Sequence, residues 1–380
     1  MRRLLVAFCC LAIIGAVVAA RIDSSSHVAG LSAPLLVAPP KPGWLGLNGN
    51  SSNYLGTVDT FSKVGVVFDR NLELQAGQLP GEGPPGSPGR ELVERLAVDQ
   101  RLGMSPVAVI EYQGYGRPGF EFHEDPEFPS RRAAAETAQG PGSIDGYVQG
   151  FIRSALAVRR LAAARYPGTE VRFEVMNEPW GYTTPQFDGG RYGEVLAALL
   201  PAATAAGIPS KDIYVAATGE GCSAGRCRAG GWVADMYRAE PALRTQIAGW
   251  YLHPYGPAEG VTVDENGGIQ AVPLIRAGMA SGRDNLIVSE LGFCARDVNN
   301  PSGLPEGVSC HGAPAVAATQ AAASLRSSLE QASAYHREGW LRALIVYSRN
   351  DGGWAMQLPG GALTPSGQAL LDFASSSASG

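Results

Sequence analysis

Lysine is almost missing from the 380-residue chain: Lys41, Lys63 and Lys211 are the only three among 30 basic residues. Against 35 Asp and Glu they leave a net charge of −5, so the chain lacks the basic surplus that draws a protein to nucleic acid or an anionic membrane. The deficit matches the codon usage of a GC-rich genome. No G-x-G-x-x-G follows the first strand-like run, which argues against a dinucleotide site. No G-x-S-x-G elbow marks a serine esterase. No His-x-x-x-His or Asp-rich loop marks a metal centre, so neither a metal nor an organic cofactor is expected. What is abundant is glycine and proline, 49 and 27 residues, the signature of many turns and loops. A composition of 45% hydrophobic and 17% charged residues fits one large folded unit.

The N-terminal apolar run, Leu4 to Val18, follows Arg2 and Arg3 and ends in Val18-Ala19-Ala20. It is shorter than the roughly 20 apolar residues that cross a bilayer. It reads as an export signal, residues 1–20, cleaved after Ala20, with no membrane anchor left afterwards. Residues 21–42 are rich in Ser, Ala and Pro and read as a flexible lead-in. Four cysteines then remain, Cys222, Cys227, Cys294 and Cys310. An even number in an exported chain suggests two disulfides. Three pairings are possible, and the expectation adopted is local pairing, Cys222 with Cys227 and Cys294 with Cys310. Zinc is the rival, but no pair has the two-residue spacing of a zinc ribbon.

From Trp44 onward, short apolar runs alternate with amphipathic stretches. Eight runs stand out: Trp44 to Asn48, Val64 to Arg70, Pro106 to Gln113, Val171 to Asn177, Ile213 to Thr218, Ile247 to His253, Leu286 to Glu290 and Leu341 to Ser348. Between them lie helix-forming segments such as Glu91 to Leu102, Ile144 to Arg165, Tyr192 to Ala206, Trp232 to Tyr237 and Ala315 to His336. Eight strand-plus-connection units predict an α/β fold, a (β/α)₈ TIM barrel over residues 43–380, in preference to an open doubly wound sheet. The segments after the strands are long (Gln75 to Arg90, Gly114 to Gly142, Gly292 to Pro314) and the returns are short. In such a barrel the long segments gather at the C-terminal face and wall one cleft.

Two strands end in a glutamate at that face: Val171 to Trp180 holds Asn177-Glu178-Pro179, and Asn285 to Phe293 holds Ser289-Glu290-Leu291-Gly292. A pair of facing carboxylates is what glycoside hydrolysis needs, one protonated and one ionised. Their separation in sequence equals three strand-helix units of the average length that eight units need to fill the folded span. Strands four and seven are therefore a self-consistent numbering, with both side chains at one pore mouth.

These two strand ends resemble those of clan A glycoside hydrolases, the cellulase-like (β/α)₈ enzymes of families 5 and 39, over essentially the whole chain after the signal. The source that this reading suggests is a secreting bacterium of actinobacterial type. The resemblance implies a retaining enzyme with Glu178 as acid/base, Glu290 as nucleophile and Asn177 as donor to the sugar 2-hydroxyl. It further implies that Tyr255 bonds the nucleophile, that His253 supports the site and that Arg70, closing the second run, lies against the nucleophile. Alternative roles for Arg70 are a structural pairing with Asp69 or Glu111. Glu174, on the face of Glu178 if the strand alternates regularly, is expected to be structural and to need a partner. Trp180 and Trp354 are candidates for stacking on sugar, Tyr347 stands about where the clan often has a tryptophan, and Asp351 is a candidate for substrate contact. Glu220 is a weaker carboxylate. The third strand ends Glu111-Tyr112-Gln113, where many family 5 enzymes have histidine.

The expected activity is hydrolysis of an extracellular or cell-wall polysaccharide or its oligosaccharides, most simply a β-glucan, by a monomer. Alternatives are an exo-acting β-galactofuranosidase or β-xylosidase of the same clan, or a barrel that only binds glycans.

Overall fold

The computed structural model describes residues 43–49, 58–83, 87–111, 144–165, 167–179, 189–217, 231–255, 268–296, 315–348, 352–358 and 361–377. The signal segment 1–20 and the lead-in 21–42 lie outside them. Eight parallel strands close in sequence order: β1 (Leu45–Asn48), β2 (Val66–Gln75), β3 (Ser105–Glu111), β4 (Arg172–Val175), β5 (Ile213–Ala216), β6 (Trp250–Leu252), β7 (Leu286–Leu291) and β8 (Leu341–Tyr347). β8 pairs back onto β1 through Leu45 with Leu344 to Asn48 with Tyr347, completing the expected (β/α)₈ barrel.

The strands read as unbroken apolar runs because both faces are covered, one by the barrel interior and one by helices. Val107, Ala108, Val109 and Ile110 of β3 are all fully buried, although their side chains alternate in direction. The surrounding helices are α1 (Val58–Ser62), α2 (Pro88–Leu102), α3 (Ile144–Arg165), α4 (Gly189–Ala205), α5 (Gly231–Ala239), α6 (Leu243–Gln246), α7 (Gly268–Ala277), α8 (Ala318–Arg337) and α9 (Pro365–Ser377). In α3 the buried positions Tyr147, Phe151, Ala155, Val158 and Ala162 recur at three- and four-residue intervals, the stripe that packs on the sheet. Gly46 lets the wall close at β1: a Cβ there would lie 2.7 Å from Phe68 Cβ and 2.8 Å from Ile345 Cγ1.

One boundary corrects the sequence reading. β2 does not close at Arg70 but continues five residues to Gln75, because the backbone goes on pairing with β3, from Leu72 opposite Ala108 to Gln75 opposite Glu111. The pairing shifts by one residue between Arg70 and Leu72. Arg70 is therefore a mid-strand residue that reaches into the barrel, while its neighbour Asp69 faces outward to α2. There, Asp69 meets Asp99, and both are buried.

Burial, followed by the charge of Asp69, holds the Asp99 carboxyl well above the usual carboxylate range, with Arg95 opposing. The folded state thus binds a proton that the unfolded chain releases near pH 4. Stability from this pair is full below that pH and falls as pH rises through the raised folded value. Asp99→Asn, an isostere of the neutral acid, should therefore gain stability relative to the parent as pH is raised from 4 to 8. Urea unfolding across that range checks this, and a parent-minus-variant difference that does not change with pH would refute it.

Candidate active site

Glu290, the fifth residue of β7, projects into the barrel mouth and is nearly buried, with 9% of its side chain exposed. Three donors converge on its carboxylate. The Arg70 guanidinium and Asn48 Nδ2 (3.2 Å) both reach Oε1, and Tyr255 O–H donates to Oε2 at 2.6 Å. Burial, then the charges of Glu290 and Glu178, push the Tyr255 phenol well above its ordinary range, so it remains a donor.

Glu178 reaches the same space by a different route. β4 stops at Val175, and the chain then turns through Met176 at φ 64° and Glu178 at φ 42°. Left-handed backbone at residues with a Cβ costs about 1–3 kcal/mol each and persists only where the surroundings impose it. Here Met176 N–H donates to Ile110 O (3.1 Å) and Asn177 N–H to Glu111 Oε1 (2.9 Å). Tyr192 O–H and Tyr251 O–H hold the carbonyls of Val175 (2.9 Å) and Met176 (2.7 Å). Arg70 Nη2 fixes the Asn177 amide through Oδ1 at 2.7 Å. The kink leaves 37% of the Glu178 side chain exposed to the mouth, far more than Glu290.

His253, just past β6, links the two acids: its Nδ1 lies 2.8 Å from Glu178 Oε1 and 3.5 Å from Glu290 Oε2. Ligating atoms of Glu178, His253 and Glu290 all fall within 4.8 Å of one another. That spacing would admit a cation, but Arg70 already brings positive charge to Glu290 and Tyr255 already donates to it, so the donor set suits proton chemistry better than metal binding.

The structure thus brings together six residues expected at the site: Arg70, Asn177, Glu178, His253, Tyr255 and Glu290. Arg70 lies against Glu290, as expected. Besides Glu290 it holds Glu174, with Nε donating to Oε2 at 2.8 Å, which supplies the partner that carboxylate needs. Trp354 is only 5% exposed and packs edge-on against Tyr255 and Tyr347, with ring centroids 5.3 and 5.8 Å away. Gly292 makes that close approach possible, since a Cβ there would meet Tyr347 O at 2.2 Å. Trp180, Glu220, Asp351, Cys222, Cys227 and Cys310 lie outside the described residues. Sequence reasoning missed Asn48 and Ser289. A polar residue closing the first apolar run was a usable signal for Asn48, whereas Ser289 sat inside a quoted motif without a role.

No family model matches the sequence, and no curated protein matches it. Solved structures share its fold at low identity. A family 39 glycoside hydrolase from the gut symbiont Bacteroides cellulosilyticus WH2 is 16% identical with a TM-score of 0.52, over 87% of this chain and 63% of its own. This chain therefore spans less than two thirds of that protein. The GH53 catalytic domain of Ignisphaera aggregans is 14% identical with a TM-score of 0.53, covering 90% and 99%. An endo-β-1,4-glucanase from Xanthomonas axonopodis pv. citri is 13% identical with a TM-score of 0.52, covering 88% and 100%. All of these similarities concern the barrel.

The buried Glu111 carboxylate is a brace for the strained turn. Glu111→Ala should cost about 1–3 kcal/mol in urea unfolding, the scale of a lost buried charge-assisted hydrogen bond. Glu111→Gln, which keeps an acceptor, should cost less than half as much. Equal losses in the two variants would show that the turn does not depend on this contact.

Proposed function

We propose that the chain is a retaining β-glycoside hydrolase that acts on an extracellular or cell-wall polysaccharide, or on its oligosaccharides, most simply of β-glucan type. The observation that carries this reading is the proximity of the two acids, with oxygens of Glu178 and Glu290 within 4.8 Å. Carboxyl groups about 5–5.5 Å apart suit double displacement, whereas inverting enzymes need about 6.5–9.5 Å to fit a water between them. That a protein named as an endo-β-1,4-glucanase shares the barrel is consistent with the proposed substrate class.

The roles follow from the contacts. Glu290 accepts from Arg70, Asn48 and Tyr255, an arrangement that only an acceptor carboxylate satisfies, and it attacks the anomeric carbon. Glu178, the more exposed acid, gives its proton to the departing oxygen as the glycosidic bond breaks. It then takes a proton from the water that releases the sugar from Glu290. Asn177, with its carbonyl oxygen held by Arg70, keeps its amide N–H groups for the sugar 2-hydroxyl. We further propose export of the chain and stapling of the active face by disulfides. Cys294, buried against Trp354, is disulfide-bonded, and the partner we propose for it is Cys310.

Sugar release from β-glucans, xylans, mannans and arabinogalactans by the purified protein tests this reading. Glu290→Gln should lower kcat on the order of 10³-fold or more, the scale of losing a nucleophile. Proton NMR of the first-formed sugar should show the β anomer. The α anomer would overturn the double displacement, and binding without turnover in the parent would leave a glycan-binding barrel.

A further inference from the structure

The opposite end of the barrel gathers a second set of donors. The return from α7 to β7, residues 280–285, lines an open cavity of about 350 Å³ together with Arg342, the second residue of β8. Leu286 opens β7 directly after the return, so this cavity lies at the N-terminal ends of the strands, away from Glu178 and Glu290 at the mouth.

The return is pinned through its carbonyls and side chains. Ser281 O accepts from Trp250 Nε1 at 2.7 Å, Gly282 O from Asn285 N–H at 2.9 Å and Arg283 O from Arg276 Nε at 2.9 Å. Ser281 Oγ donates to Ile247 O at 2.8 Å, and Asn285 Nδ2 donates to Ala248 O at 2.9 Å. Gly282, at φ 65°, presses on that same segment, where a Cβ would lie 2.8 Å from Ile247 O. With those acceptors engaged, donors are left over. The N–H groups of Ser281, Gly282, Arg283 and Asp284 meet no acceptor among the described residues. Successive free N–H groups in such a turn make a concavity that takes an anion.

Two side chains add charge. Arg283 and Arg342 are both exposed, and among the described residues neither guanidinium pairs with an acid or donates to an acceptor. Arg342 is the residue passed over where the register of β7 and β8 shifts, between Leu341 opposite Leu286 and Ala343 opposite Ile287. A bulge of this kind re-aims the side chain it skips. The acid on the lining, Asp284, is engaged by Arg276, whose guanidinium also lies over the Trp340 ring at 4.7 Å. Three guanidiniums thus stand against one carboxylate, in a chain whose net charge is −5.

We infer that this cavity is a binding site for a phosphate group, either the free ion or a phosphate monoester of a small molecule. Two planar forks and a run of main-chain N–H groups offer more donors than the two oxygens of a carboxylate can accept. A phosphate monoester brings three strong acceptor oxygens and a charge of about −1.5 to −2 at neutral pH, which the two unpaired guanidiniums match. None of these residues belongs to the barrel mouth, so the inference is independent of the glycosidase reading.

Two-dimensional ¹⁵N–¹H NMR of the purified protein tests the site, with inorganic phosphate and glucose 6-phosphate titrated separately against potassium chloride of equal ionic strength. The amides of Ser281, Gly282, Arg283 and Asp284 should move saturably with phosphate and not with chloride. Arg283→Gln and Arg342→Gln should each weaken binding about tenfold, the scale of one lost hydrogen bond to a charged group. Arg101→Gln, which removes an exposed arginine of α2 outside the cavity, should leave it unchanged. With no partner to lose among the described residues, the Arg283 and Arg342 variants should unfold at the parent's temperature when phosphate is absent, and phosphate should raise the parent's midpoint more than theirs. Glucose 6-phosphate binding at least as tightly as the free ion would assign the site to a carried monoester, and binding of inorganic phosphate alone would assign it to the free ion. Shifts that chloride reproduces, an equal loss in Arg101→Gln, or no saturable shift with either probe would overturn the inference.

Discussion

A single buried guanidinium organises the barrel mouth. Arg70 contacts Glu174, Glu290 and Asn177, side chains from β4, β7 and the turn after β4, and it is almost wholly removed from water. Desolvating such a charge costs several kcal/mol unless every partner is in place. The ion pairs are therefore weak support for stability but strict specifiers of geometry. They require β2, β4 and β7 to lie in one register, and the closed sheet, with each strand bonded on both sides, supplies that register. Glu174 explains why the guanidinium can sit so deep. It meets Nε and Nη2 of Arg70 from below, while Nη1 reaches Glu290 and Nη2 also reaches Asn177 nearer the mouth.

The second constraint is the turn after β4. A regular strand would send Asn177 and Glu178 to opposite faces of the sheet. The left-handed conformations at Met176 and Glu178 break that alternation and let both residues reach the mouth. Five hydrogen bonds, from tyrosines, main chain, Glu111 and Arg70, hold the kink, so its strain is distributed over β2, β3, α4 and β6. Glu178 is thereby held apart from the more deeply buried Glu290, and the two carboxylates have different surroundings, as the proposed acid and nucleophile roles require.

Much of this was legible in the sequence because it depends on period and count. Eight apolar runs with long segments after them gave the barrel, and two glutamates at the ends of runs four and seven gave the pair. What was not legible depends on local departures from period. Nothing in Val175-Met176-Asn177-Glu178 announces positive φ, since no glycine stands there. The extension of β2 was hidden because Arg70 looked like the polar end of a run, whereas its buried charge is matched across the barrel. Asn48 and Ser289 are ordinary residues by type. They become informative only when the closure of the barrel sets them beside Glu290 and His253.

The closed strand order also divides the site by chain half. Asn48, Arg70, Asn177 and Glu178 come with β1 to β4, and His253, Tyr255, Ser289 and Glu290 with β5 to β8. Each half thus owns one of the two acids, and the guanidinium contacted by Glu290 belongs to the other half. A fragment ending in the return between α4 and β5 would carry Glu178 without Glu290, and its complement the opposite. Any chemistry the molecule performs is consequently a property of ring closure, and it arises only after the last strand has found the first.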